Sequence, residues 1–265
     1  MMTRILFRLG QFFRFYCSAV TKYQLHSPFV FELSEVILDN KRWYYAFRDV
    51  EVLRRTMLAS KAEMRLDDGR TRLSMMGSWM RGGSIGPGVG QQLFHLANWV
   101  NPRSLVQVGT SVGIGAMYLH SGAHGAACIA LEERPERACV ARVNVDLLGC
   151  QSRAAIRVGR YEDTLPIALK TLQKIDFLYV EDHVWRAVEY FEECLPFSHD
   201  STVFVFWEIH RSVEGEAAWQ SIQRHRRVTL TVDFFGISLV FINPNFKHRQ
   251  HFSVVAASWK IWKFM

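Results

Sequence analysis

The stretch Ser104-Leu-Val-Gln-Val-Gly-Thr-Ser-Val-Gly-Ile-Gly115 governs the reading of the whole chain. A short apolar run ends at Gly109, and a polar turn punctuated by Gly113 and Gly115 leads into a helix-forming segment. A strand that stops at glycine lets the backbone approach a ligand closely, and the helix behind it presents unpaired N–H groups. The pattern predicts a nucleotide-like ligand beyond the carboxyl end of a strand in a parallel β/α sheet.

Downstream of this stretch, strands and helices alternate. Candidate strands are Leu105–Val108, Ala127–Leu131, Ala155–Val158, Ile175–Val180 and Thr202–Phe206, with helices starting near Gly113, Pro135, Thr164, Val184 and Glu214. Short apolar runs separated by helices predict a mostly parallel sheet covered on both faces. The end is different: Val228–Val232 and Ile237–Ile242 are joined by Asp233-Phe-Phe-Gly236 with no helix between, which predicts an antiparallel closing hairpin. Upstream, residues 1–64 read as helical, and Ser27-Pro28 is a helix start with an N-cap serine and proline at the first position. Residues 65–90, with Gly82-Gly83-Ser84 and Gly86-Pro87-Gly88, read as a glycine-rich connector, and residues 91–265 as the ligand-binding domain.

Composition narrows the function classes. Hydrophobic residues make up 49% and charged residues 22%, as in a folded globular protein. The net charge of +7 admits anionic partners, but its densest run, Arg224-His-Arg-Arg227, reads as a solvated helix end and carries no nucleic-acid signature. Five cysteines without a CxxC pair read as reduced, mostly buried thiols of a cytoplasmic protein. At the N-terminus, Ile5, Leu9, Phe12, Phe13 and Tyr16 form a helical stripe interrupted by Arg4, Arg8 and Arg14, too short in its apolar runs to span a bilayer. Packing of that stripe on the domain is the first expectation, and a weak membrane-surface contact through residues 1–16 is the second.

Ligands of open α/β sheets sit beyond the carboxyl ends of the strands, so the residues after each strand are the candidates. These are Gly109, Thr110, Ser111 and Gly113 after the first, Glu132 after the second, and Gly159-Arg160-Tyr161 after the third. Glu181-Asp182-His183 and Trp207-Glu208-Ile209-His210 follow the fourth and fifth. An acid after the second strand suits a ribose diol, since one carboxylate can accept from both hydroxyls. The Gly109-xxx-Gly113-x-Gly115 spacing also fits short-chain dehydrogenases, but no tyrosine here has lysine four positions on.

The chain resembles the class I S-adenosylmethionine (SAM) methyltransferases, and among them a bacterial group with an HSPFVF-type motif. The resemblance rests on His26-Ser-Pro-Phe-Val-Phe31, Tyr44-Tyr-Ala-Phe47, Val108–Ile114, Leu131-Glu-Glu133, Gly159–Pro166, Tyr190-Phe-Glu192, Glu208–Ser212 with Trp219, and the closing hairpin with Gln250-His-Phe252. It implies a Rossmann-like, mostly parallel seven-stranded sheet closed by the hairpin, with added N-terminal helices. It also implies SAM as the methyl donor and a small-molecule acceptor. By position, Gly109–Gly113 would hold the methionine end of SAM, Glu132 its ribose, Arg160 and Tyr161 its adenine, and Glu181 would lie beneath the sulfonium. His26 and Ser27 would help cover the pocket.

Three departures qualify that inheritance. Gln107 stands where the family has an acid for the cofactor's amino group, losing on the order of 1 kcal/mol of charge assistance. Glu181-Asp182-His183 is one residue shorter than the family pattern, and Trp207 replaces an acid after the fifth strand. The Asp/Asn oxygen trio that holds Mg²⁺ in catechol-type enzymes is therefore not intact, and no metal is predicted. Candidate bases are His183 and His210, with Asp182 and Glu208 orienting them. Three readings stay open: an active methyltransferase, a methyltransferase-like fold that binds SAM or S-adenosylhomocysteine (SAH) without turnover, or a membrane-peripheral module that uses the basic N-terminus.

Overall fold

The computed structural model describes residues 2–39, 42–67, 71–149 and 154–260. Two compact units divide the chain: residues 41–172 form one, and residues 1–40 with 173–265 form the other.

The N-terminal segment opens with α1 (Met2–Ser18) and α2 (Pro28–Ser34). The Ser27-Pro28 signal is realised: the Ser27 hydroxyl accepts the Val30 N–H, and Pro28 occupies the first helical turn, where its missing N–H costs nothing. Only part of the expected α1 stripe is packed. Phe12 lies against the Phe15–Ala19–Val255 cluster and Phe235, whereas Ile5, Leu9 and Phe13 are exposed. The helix rests on the face defined by positions 12, 15 and 19, a rotation that the apolar count alone does not specify.

In the 41–172 unit, α3 (Tyr45–Ala59) is followed by β1 (Glu63–Asp67), β2 (Thr71–Met75), α4 (Met76–Gly83) and α5 (Pro87–Val100). The segment read as a glycine-rich connector is therefore largely regular, with β1 and β2 paired antiparallel. Then come β3 (Ser104–Val108), α6 (Ile114–Gly122), β4 (Ala127–Glu132), α7 (Pro135–Leu147), β5 (Ala154–Val158) and α8 (Tyr161–Leu172). Strands β3, β4 and β5 are parallel, with Gln107 beside Ala130 and Ala130 beside Ile156. Leu105, Val106 and Val108 are fully buried, which is why β3 reads as a mainly apolar run, broken at Gln107, rather than an alternation.

The other unit continues with β6 (Phe177–Val180), α9 (Ala187–Cys194), β7 (Val203–Trp207), α10 (Val213–Arg224), β8 (Leu230–Asp233), β9 (Ile237–Phe241) and β10 (Gln250–Ser253). Strand β9 is antiparallel to both β7 and β8, confirming the closing hairpin. The strand order is β10-β8-β9-β7-β6-β3-β4-β5. The sheet has eight strands rather than seven, because Gln250–Ser253 pairs parallel with β8. That edge strand is short, polar and only partly buried, so it lacks the apolar run that marks the others.

The thiols also depart from expectation. Cys128 and Cys194 are buried, but Cys17 and Cys139 are exposed, and Cys150 lies outside the described residues. No helix among the described residues is long and apolar enough to cross a membrane.

Candidate functional site

In the 41–172 unit, the loops after β3, β4 and β5 are stitched together by backbone hydrogen bonds. The Gly109 N–H donates to Leu131 O at 3.0 Å, and the Gly159 N–H to Glu132 O at 3.1 Å. The turn after β3 closes as the Gly113 N–H donates to Thr110 O at 2.8 Å. Gly113 sits at φ 91°, and a Cβ there would lie 3.1 Å from the Ala141 Cα, so both conformation and space demand glycine.

Glu132 holds this loop. Its buried carboxylate accepts the Ser111 N–H at 2.8 Å and the Arg134 N–H at 3.1 Å, one on each oxygen. A carboxylate fixed by two backbone N–H groups is held in a single orientation beside the glycine turn. Gln107 is fully buried and donates its amide N–H to Gly109 O at 3.0 Å, bracing the turn from within. The Thr110 and Ser111 hydroxyls, both buried, have no hydrogen-bond partner among the described residues. Burying an unpaired hydroxyl costs about 1–3 kcal/mol, and two such groups side by side on a glycine turn suit a polar ligand. After β5, Arg160 extends into solvent near Glu162, while Tyr161 is fully buried and its N–H donates to Glu133 at 3.2 Å.

The other unit holds a cavity of about 260 Å³ at the carboxyl ends of β6 and β7. Its wall includes Glu181, Asp182, His183, Trp185, Trp207 and Glu208. His183 and Glu208 both adopt left-handed backbone conformations, at φ 47° and 46°, which turn the chain sharply off each strand end. The His183 N–H donates to its neighbour Asp182 at 2.9 Å, and its ring lies 4.5 Å from that of Trp185. Glu208 is ion-paired to Arg8 of α1 and lies 3.8 Å from Arg211. Beneath them, the buried Tyr179 phenol is pushed well above its ordinary pKa by burial and then by the charges of Glu181 and Glu208.

His210 does not line this cavity. Its Nδ1–H donates to Glu216 at 2.6 Å and its Nε2–H to Asp233 at 2.9 Å, and the ring stacks on Phe235 with centroids 5.5 Å apart. Burial alone would lower its pKa, but the hydrogen bonds and charges of Asp233 and Glu216 outweigh it and raise the value to about 9. An imidazolium with both N–H groups committed has no lone pair for a substrate proton. The structure thus brings Asp182, His183 and Glu208 together and leaves His210 in a structural role. Trp185 and Arg8 are the additions that reading the sequence missed. His26 and Ser27 line a separate hollow of about 650 Å³ with Lys247, His248 and His251. Among the described residues, no group of three or more His, Cys, Asp or Glu side chains could hold a metal ion.

No family model matches the chain. Among solved structures, it is similar to the O-methyltransferase from Bacillus cereus in complex with SAH, with a TM-score of 0.56 and 18% identity over 76% of this chain and 93% of that one. It is similar also to the SAH-bound methyltransferase PaMTH1 from Podospora anserina, with a TM-score of 0.59 and 15% identity over 83% of this chain and 97% of that one. The fold is that of the class I methyltransferases. A curated relative, the catechol O-methyltransferase of Niastella koreensis, is 27% identical over 124 residues, 46% of this chain. The match spans 56% of that relative's length. The turn at Gly109–Gly113 stands at the carboxyl end of β3 in its unit, and the cavity stands at the carboxyl ends of β6 and β7 in the other; strand carboxyl ends are where open α/β sheets bind ligands.

Proposed function

We propose that the chain is a SAM-dependent O-methyltransferase acting on a small-molecule acceptor. The observation that carries this reading is the Gly109–Gly113 turn, whose buried Thr110 and Ser111 hydroxyls have no hydrogen-bond partner among the described residues and whose shape is fixed by Glu132. The SAH-bound neighbours and the catechol O-methyltransferase relative support the choice of donor and of oxygen as the acceptor atom.

When bound, SAM supplies an activated methyl carbon: the acceptor oxygen forms the new bond as the carbon–sulfur bond breaks, and its electron pair stays on sulfur. The protein's tasks are to hold the donor, align the acceptor and remove its proton. Thr110, Ser111 and Glu132 would hold the donor, Glu132 at the ribose hydroxyls. Gln107 keeps the turn in shape, Arg160 and Tyr161 would serve the adenine, and Glu181 would serve the sulfonium end. Trp185 and Trp207 supply flat apolar walls that suit an aromatic acceptor. His183, at the cavity wall beside Asp182, takes the proton of the acceptor hydroxyl. Glu208 is occupied by Arg8 and positions the wall rather than acting as a base.

The decisive test is thermal unfolding with SAH. At a hundredfold excess over Kd, a live site gains about 2.7 kcal/mol of stability. No shift at millimolar SAH would refute the reading, and a shift without methyl transfer to any of a panel of phenols and catechols would leave a binding protein in its place.

A further inference from the structure

Helix α1 leaves a large part of its apolar surface uncovered. Ile5, Leu6, Leu9 and Phe13 are 52%, 62%, 58% and 69% exposed. At 100° per residue these four fall within one arc of about 100°, so they form a continuous stripe rather than scattered side chains. The stripe does not end with the helix. Trp259, 54% exposed, lies edge-on to Phe12 with centroids 6.2 Å apart, and its carbonyl accepts the Tyr16 hydroxyl. Phe12 and Tyr16 stack on the flank of α1 next to Ile5 and Leu9, so the tryptophan widens the same apolar face.

Charge indicates what covers it. The helix contains Arg4, Arg8 and Arg14 and no acidic residue, in a chain of net charge +7. Arg14 is exposed, and Arg8 remains nearly half exposed although it pairs with Glu208. A second copy of the chain would set these arginines against their own equivalents. Its stripe of five side chains is also far short of the 20–30 residues a side of a typical stable interface. An anionic bilayer has neither problem: apolar side chains enter the headgroup boundary, tryptophan sits well at that depth, and arginines meet lipid phosphates.

We propose that α1, together with Trp259, is an interfacial membrane anchor that docks the protein on anionic lipid. The helix lies in the surface plane with Ile5, Leu6, Leu9 and Phe13 inserted, while Phe12, Phe15 and Ala19 stay packed on the protein. Because Arg8 of the same helix grips Glu208 in the cavity wall, docking carries that cavity to the bilayer surface.

The test is sedimentation of the full chain with phosphatidylcholine vesicles and with mixed phosphatidylcholine–phosphatidylglycerol vesicles. Binding to the mixed vesicles only, weakened by added salt, is expected. The double substitution Leu9→Ser with Phe13→Ser should lower the partition coefficient about tenfold or more, and Arg14→Glu several-fold. Both variants should keep the wild-type far-UV circular dichroism, and the double variant also the urea midpoint, since Leu9 and Phe13 are exposed. Equal binding to both vesicle types, no binding to either, or undiminished binding by the double variant would overturn the proposal. So would a concentration-dependent dimer that the double variant abolishes, which would assign the stripe to a second copy.

Discussion

Protonation of His210 makes stability depend on pH in a direction fixed by its two carboxylates. The ring lies between Glu216 and Asp233, its pKa raised from 6.5 to about 9 against the opposing effect of burial. A pKa raised on folding stabilises fully below the unfolded value and is lost as pH climbs through the folded one. The contribution is therefore complete below about pH 6.5 and gone above about pH 9. At about 1.36 kcal/mol per pH unit, it amounts to about 3 kcal/mol. Glu216 sets the acid side: its hydrogen bond to His210, then the histidine's charge, that of Gln220's amide contact and Arg14, hold its pKa down against burial. That contribution is present above about pH 4.5 and fades as pH falls through the lowered value. The perturbation is His210→Gln, which keeps one donor and discards the titration. Urea unfolding of both proteins at intervals from pH 6 to 9.5 should show wild type ahead by about 3 kcal/mol more at pH 6 than at pH 9.5. NMR of the ring protons should give a midpoint near 9. A stability gap flat across that range, or a midpoint near 6.5, would refute the reasoning. If the folded variant also lost methyl transfer a hundredfold at pH 6, the structural role assigned to His210 would be wrong.

The glycine turn and the cavity wall give three further outcomes. Gly113→Ala forces a Cβ into a φ 91° position 3.1 Å from Ala141; it should cost about 1–3 kcal/mol in urea unfolding and abolish the SAH-induced thermal shift. Thr110→Val removes a buried hydroxyl that has no partner among the described residues. The protein alone should gain up to about 1 kcal/mol while SAH affinity by calorimetry falls severalfold. His183→Gln should leave SAH binding intact and lower kcat by about 10²–10⁴-fold on any accepted phenol, the loss shrinking as assay pH approaches the acceptor's own pKa.

The sequence displays the parts of this fold whose causes are local. Strands buried on both faces favour apolar side chains, so β6 and β7 stand out as unbroken runs and β3 as a run interrupted at Gln107, and Gly113 marks the turn because no other residue fits. Ser27-Pro28 announces α2 for the same reason. Where the cause lies elsewhere in the chain, the signal fades. Strand β10 is a strand because β8 offers it an edge, and Gln250-His-Phe-Ser253 has no pattern of its own. Residues 65–90 read as loop from their glycines, yet β1 gains its order by pairing with β2, Glu63 beside Met75.

The two rim histidines show the same limit in chemical terms. His183 and His210 follow neighbouring strands, each just after an acidic stretch, and nothing local distinguishes a base from a structural cation. What separates them is the company each keeps. Asp233 approaches His210 from the hairpin 23 residues on, and the same carboxylate accepts Ser238 and the Phe235 N–H, so the group that ties up the imidazole also builds the turn it stacks against. Glu216 closes the other side from the first turn of α10. His183 sits differently: its backbone is held by Asp182 and its ring faces Trp185 at the cavity wall. A buried histidine with two carboxylates is locked as a donor, whereas one at a cavity wall is placed to exchange a proton with a substrate. The division of labour at this rim therefore follows from a hairpin that closes the sheet, and moving Asp233 by substitution to Asn should begin to free His210 rather than disturb His183.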